Sequence, residues 1–461
     1  MLDFEIELNK AIKEAGYADV RVTDVIHEKV GIENSNISVL SKTSNKTYGV
    51  RVFFEGSWGF SSVTEENKVS EAFKHAIRLA KLNSKNQKDK FDLEHLSSVN
   101  DEVKGPYKTS PEDIELSEKV SRLKELNNVL SEHKKVSNRT SSIYFATQNN
   151  FFQNSSGARI KEKKSIFDIR AMVVGKENGN NLRSFERIGR SDGYDYFKKM
   201  DLQKFGKQIL SDLDEQFVAK KAPAGNLPVL MDNDLAGVFF HEAVGHACEA
   251  DAVLEKSSVL MNQQDQRIAP EFLTLEDDPH VEHEHGYFKY DDEGVPAKKT
   301  VLIDEGILKG YMHSIETASR MDCKPTGNGR AQNASMLPIP RMTNTIVGGG
   351  NFSKKEIIED IDYGIYALGS SGGVVEPANG NFLFNAQKAY LVEKGKIKHP
   401  LKDVSFGGNI LDILQKVSKV GNDVMPTFTG GICGKGGQRA PVGTLAPHLF
   451  ISEAMVGGTN K

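Results

Sequence analysis

The chain has 461 residues, enough for more than one domain at about 100–200 residues each. Its apolar fraction of 38% excludes disorder along the whole length. Residues 1–222 carry 37 basic and 33 acidic residues, net +4; the rest carry 22 and 30, net −8. Neither half has the positive excess of a sequence-blind nucleic-acid binder, so no nucleic-acid partner is expected.

Residues 2–15 suit a short amphipathic helix, and 20–63 read as a β-meander. Residues 67–83 look helical, and the polar, lysine-rich segment 83–108 reads as a surface loop. Ser110-Pro111-Glu112 predicts a helix start, the helix running to about Lys135. Strand character returns over 140–190 and helix over 194–221. The segment 219–228 has two prolines, a glycine and small residues, and a domain boundary is expected there. Beyond it glycine is dense and hairpins are predicted at 301–312 and 388–398. The expectation is an α+β chain: a mixed α+β domain over 1–222, then a β-rich domain over 223–461 that carries the helix described next.

No window approaches the roughly 18 apolar residues of a membrane span, and the acidic N-terminus is no secretory signal. Three cysteines are too few for a disulfide framework. A soluble, cytoplasmic protein with free thiols and no membrane partner is expected.

The sharpest feature is D-L-A-G-V-F-F-H-E-A-V-G-H-A-C-E-A-D over 234–251, a helix capped by Asp234 that carries His241, Glu242 and His246. Two imidazoles can hold a divalent cation while a neighbouring carboxylate takes a proton from the attacking water. In H-E-x-x-H the histidines are about 40° apart; here the i, i+5 spacing sets them about 140° apart. Either these are ordinary polar helix residues, or a π-bulge brings them to one face, with Gly245 supplying backbone freedom.

Three sources of a third ligand stand open. Cys248 is near in sequence but on another helix face, His280, His283 and His285 form a cluster, and Cys433 lies in a Gly-rich turn. Glu249 and Asp251 are either partners that orient ligand histidines or solvated carboxylates. Arg330, Arg341, Lys435 and Arg439 either bind substrate or form structural ion pairs.

The run H-E-A-V-G-H-x-x-E-x-D over 241–251 resembles the TldD/PmbA family of metallopeptidases, on its catalytic TldD side. So do G-Y-F-K-Y-D-D-E-G-V-P (286–296), L-I-D-E-G-I-L-K-G-Y (302–311), G-N-G-R-A-Q-N (327–333) and P-R-M-T-N-T (340–345). G-N-F-L-F-N-A-Q-K-A-Y-L-V-E-K-G-K (380–396) and C-G-K-G-G-Q-x-x-P-V (433–442) complete the C-terminal match, and Y-G-V-R-V-F-F-E-G-S-W-G-F (48–60) is a looser one. The resemblance implies one zinc ion per chain held by His241, His246 and Cys433, with Glu242 as general base. It implies a dimer, with itself or with a paralogue lacking the metal motif, that hydrolyses unfolded or small peptides in an enclosed cavity. The competing expectation is a non-catalytic metal-binding subunit or regulatory interaction protein of the same family.

Overall fold

The computed structural model describes residues 3–458 except 95 and 178. Positions 2, 95, 178 and 459–461, which fall in the expected helix, loop, strand region and C-terminal domain, lie outside them. The N-terminal half is built on one seven-stranded sheet. Its strands are β1 (Tyr17–Glu33), β2 (Asn36–Phe54), β3 (Ser57–Val63), β4 (Asn100–Lys104), β5 (Val136–Asn154), β6 (Arg159–Glu177) and β7 (Asn180–Arg190). The order is β3-β2-β1-β5-β6-β4, with β7 also on β6. All pairs are antiparallel except β4 with β6.

Alternation along β1 explains what each face of the sheet does. Ala18, Val20 and Val22 bury against helices α1 (Glu5–Ala11) and α2 (Val69–Ser84). Val30 and Ile32 bury against α3 (Leu116–Leu130), α4 (Tyr194–Lys199) and α5 (Leu202–Val218). The intervening residues turn the other way, onto the C-terminal half. Asp19 pairs with Arg51 at 2.7 Å, and Arg51 pairs with Glu293 at 2.7 Å. Arg21 donates to the Met336 carbonyl, and Thr23 Oγ1 accepts from the Ala334 amide at 3.1 Å.

Local expectations needed correction at several points, and the helix expected over 194–221 is two, α4 and α5. The first helix is shorter than 2–15, spanning Glu5–Ala11. Pro111–Asp113 is a lone 3₁₀ turn, Ile114 and Glu115 are extended, and α3 begins at Leu116 and ends at Leu130. The buried Lys119 ammonium takes the Pro111 carbonyl at 2.6 Å and also meets Glu28, which holds the turn off the helix line. The expected loop 83–108 contains the edge strand β4, whose one apolar side chain, Val103, gave no alternating pattern.

The C-terminal half is β-rich and includes a closed barrel. Strand Tyr363–Glu376 pairs with Gly225–Met231, which pairs with Leu449–Gly458; Val404–Asn409 and Asn381–Glu393 then lead back to Tyr363–Glu376. A second sheet runs Ile307–Leu308, Thr300–Asp304, Leu275–Asp277, Asn344–Val347, Gln438–Ala446, with Gly431–Lys435 hairpinned onto Gln438–Ala446. Both predicted hairpins are present, turning at Glu305-Gly306 and Lys394-Gly395. Segment 219–228 is no free linker: Lys220–Lys221 pair with Leu401–Lys402, and Gly225–Met231 is a barrel strand. Helix α6 (Asn233–Phe240) follows that strand and lies between barrel and second sheet. Its Phe239 ring meets Phe382 at 5.3 Å and Phe384 at 5.9 Å. Among the described residues no helix is long and apolar enough to cross a membrane.

Candidate metal centre

The N-cap of α6 is Asp232, whose carboxylate accepts from the Leu235 amide at 2.9 Å. Asp234, the expected cap, sits in the first turn and accepts from the Thr429 hydroxyl at 2.7 Å. After Phe240 the helix widens. His241–Gly245 is a π-turn, His246–Cys248 a 3₁₀ turn, and extended Glu249 ends the run. The wider turn absorbs the extra residue of the i, i+5 spacing, so the two imidazole centroids stand 5.5 Å apart.

Gly245 permits this for a reason other than the expected one. Its φ of −56° is ordinary helix. A Cβ there would lie 2.0 Å from the Met342 sulfur, so the requirement is space rather than backbone freedom.

Strand Gly431–Lys435 faces the widened turn and presents Cys433, whose Sγ is 3.3 Å from His246 Nε2. One donor atom each from His241, His246 and Cys433 lies within 4.8 Å of the others, the one such grouping among the described residues. Burial pushes the Cys433 thiol up. The neighbouring His241 and His246 imidazoles outweigh it and hold the thiol at about 5, so it is a thiolate at neutral pH. His241 Nδ1 is 3.2 Å from Thr345 Oγ1, while its Nε2 is buried without any partner. An orphaned buried nitrogen beside a second imidazole and a thiolate fits a cation. The N/N/S donor set is that of a three-ligand zinc site.

Glu249, fully buried, meets His246 Nδ1 at 2.9 Å, an arrangement that leaves Nε2 free to face Cys433. Burial pushes the His246 imidazole down, but Glu249 and Cys433 together outweigh it and raise it well above its ordinary value. Lys435 pairs with Glu249 at 3.1 Å and Asp251 at 2.6 Å, so Asp251 reaches the site through Lys435. Glu242 is half-exposed, with Oε2 3.7 Å from His246 Nε2. Both His241 and Glu242 line a cleft of about 350 Å³.

Other expected residues lie elsewhere. Buried Cys248 joins the apolar core. His280 is exposed near Asp278, His283 meets Asp192 at 3.1 Å, and His285 donates through Nδ1 to the Gly431 carbonyl at 3.0 Å. Arg330 and Arg341 do not line the cleft. Arg330 donates to the Met342 and Pro441 carbonyls. Arg341, buried completely, donates to the Cys433 carbonyl at 2.7 Å. Lys435 is held by its carboxylates, and exposed Arg439 is not in the cleft wall. Sequence reasoning missed Thr345 and two cleft residues from β7, Phe185 and Arg187. Their i, i+2 spacing was visible, but which surface that face meets was not.

Models of the PmbA/TldA metallopeptidase domains match in order: domain 1 over residues 18–83, the central domain over 109–222, and the C-terminal domain over 224–458. The chain belongs to the PmbA/TldD metallopeptidase family. A metalloprotease of Methanocaldococcus jannaschii is 36% identical over 447 residues, covering 96% of this chain and 97% of that protein. A zinc metalloprotease TldD homolog of Saccharolobus solfataricus is 28% identical over 451 residues, covering 96% and 97%. The solved structure of TldE from Thermococcus kodakarensis matches with a TM-score of 0.79 at 22% identity, covering 99% of this chain and all of that one, and so shares the fold.

Proposed function

We propose that this chain is a zinc-dependent peptidase that hydrolyses unfolded or small peptides. The observation that carries this is the convergence of His241, His246 and Cys433 around an orphaned His241 Nε2, with a half-exposed carboxylate alongside. These three residues hold one zinc ion per chain. Zinc bound there supplies Lewis-acid chemistry, polarising the scissile carbonyl and lowering the pKa of water.

The chain's own groups do the rest. Glu242 accepts the proton of the attacking water and passes it to the leaving amine nitrogen. Glu249 keeps His246 in the tautomer whose Nε2 faces Cys433, and Lys435 keeps Glu249 in place. Arg341 fixes the backbone at Cys433. Strand Gly431–Lys435 pairs only on its Gln438–Ala446 side among the described residues, which leaves an edge beside the cleft for an extended peptide.

We read the working form as a cytoplasmic dimer, homodimeric or with a paralogue lacking the metal motif. We divide the chain at 222/223, since the N-terminal and C-terminal cores are separate clusters. A non-catalytic metal-binding subunit would suit a closed four-donor site; among the described residues the cluster has three donors.

The deciding experiment is Glu242→Gln. It is expected to keep zinc and fold and to cut hydrolysis of a casein-derived peptide by about 10²–10⁴-fold. Loss of zinc together with activity would make Glu242 a structural residue, and unchanged activity would assign the base elsewhere.

A further inference from the structure

β7 is an outer strand of the N-terminal sheet, in which β6 is its strand partner. Phe185 and Arg187, two residues apart on one face, both line the cleft of His241, Glu242 and Cys433. Their position is fixed by the metal-site hairpin. The Gly189 amide donates to the Phe428 carbonyl at 2.8 Å, and Gly189 packs directly on Gly430, three residues before Cys433.

Three neighbouring arginines are engaged. Arg190 is stacked between Tyr196 at 4.2 Å and Phe428 at 4.0 Å and pairs with Asp192 at 3.3 Å. Arg330 and Arg341 donate to carbonyls. Arg187 makes no hydrogen bond or ion pair among the described residues, and it is the one Lys or Arg in the described cleft wall. Asp234, nearby, is occupied by the Thr429 hydroxyl. Asp234 and Asp168 offset part of the Arg187 charge without hydrogen-bonding it, so this partly buried guanidinium keeps its donors open to a ligand. Its planar fork of donors matches a carboxylate in two-point contact.

We propose that Arg187 anchors a carboxylate of the peptide, so that one residue of the N-terminal half selects what the C-terminal metal centre receives. This rests on reading the cleft as a peptide site. The carboxylate has two sources, a free C-terminus or an Asp or Glu side chain.

The test uses three fluorescent peptides of one parent sequence: a free acid without acidic residues, an amide with one internal Glu, and an amide with neither. Their binding is measured by anisotropy on the Glu242→Gln chain, where cleavage does not interfere. One or both carboxylate peptides should bind at least about 10-fold tighter than the neutral one, the scale of a charge-assisted hydrogen bond. Which peptide gains identifies the source. Arg187→Gln should abolish the gain without changing neutral-peptide affinity or zinc content, and Arg187→Lys should restore part of it. Equal binding of all three, a preference that survives Arg187→Gln, or no binding at all overturns the proposal. Hydrolysis by the unaltered chain, alone and with a paralogue lacking the metal motif, is scored separately: carboxylate preference without hydrolysis in either removes the peptidase reading and leaves the anchor standing.

Discussion

The stretches His241–Glu249 and His280–His285 carry similar raw material. The first has two histidines and two glutamates; the second has three histidines and two glutamates. In the first, a continuous helical path with one widened turn aims both rings the same way, and a facing strand supplies the thiolate. In the second, the backbone is irregular, with His283 at φ +68°. Its rings disperse to Asp278, Asp192 and the Gly431 carbonyl.

The two environments also move imidazoles in opposite directions. Burial alone would depress both. At His246 the buried Glu249 and Cys433 together reverse the effect, whereas at His285 burial prevails and holds the ring at about 4. Histidine density is therefore a poor guide to a metal centre. What matters is a backbone that aligns the rings and a second element that closes the set.

That contrast can be broken at the closing element. Cys433→Ser is expected to lower zinc affinity beyond the ~10–100-fold typical of losing an outer partner, while Cys248→Ser leaves it nearly unchanged. Chelator competition measures both, and equal effects would mean that the facing strand does not close the site. The widened turn is the next target. Gly245→Ala drives a Cβ against Met342, and overpacking of this kind costs about 1–3 kcal/mol, read as a lower Tm together with weaker zinc binding. Adding Met342→Ala should recover part of the zinc affinity; no recovery would show that the sulfur contact is not the obstacle. The smallest effect belongs to the other stretch. His280→Ala should leave zinc content unchanged and stability within about 0.5 kcal/mol, as for ordinary surface positions. A loss of metal there would place His280 in the centre and dissolve the contrast.

Much of the local structure was legible because burial imposes a short period. Helix α2 buries Val69, Ala72, Phe73, Ala76 and Ala80, and the meander and both hairpins follow from alternation and turn residues. The i, i+5 spacing offered a widened turn as one of two readings, since no regular helix brings such residues to one side. Where the local signal was thin, reading slipped. β4 has one apolar residue, and Ser110-Pro111-Glu112 resembles a helix start that the buried Lys119 prevents.

The sequence by itself determined the α+β fold class and the helix that bears His241, Glu242 and His246, and it offered a widened turn as one of two readings. Only the tertiary structure decided which partners meet them. Cys433 lies 187 positions beyond His246, and residue spacing left three candidates open until the wider resemblance favoured one. Arg341 meets the Cys433 carbonyl outside the cleft wall, and Arg187 arrived in the cleft from the other half of the chain. The physical reason is one of range. Helical and strand periods repeat within two to four residues, so a short window records them. The approach of β7 and Gly431–Lys435 to α6 depends on the registers of whole sheets and on barrel closure, and no short window contains those.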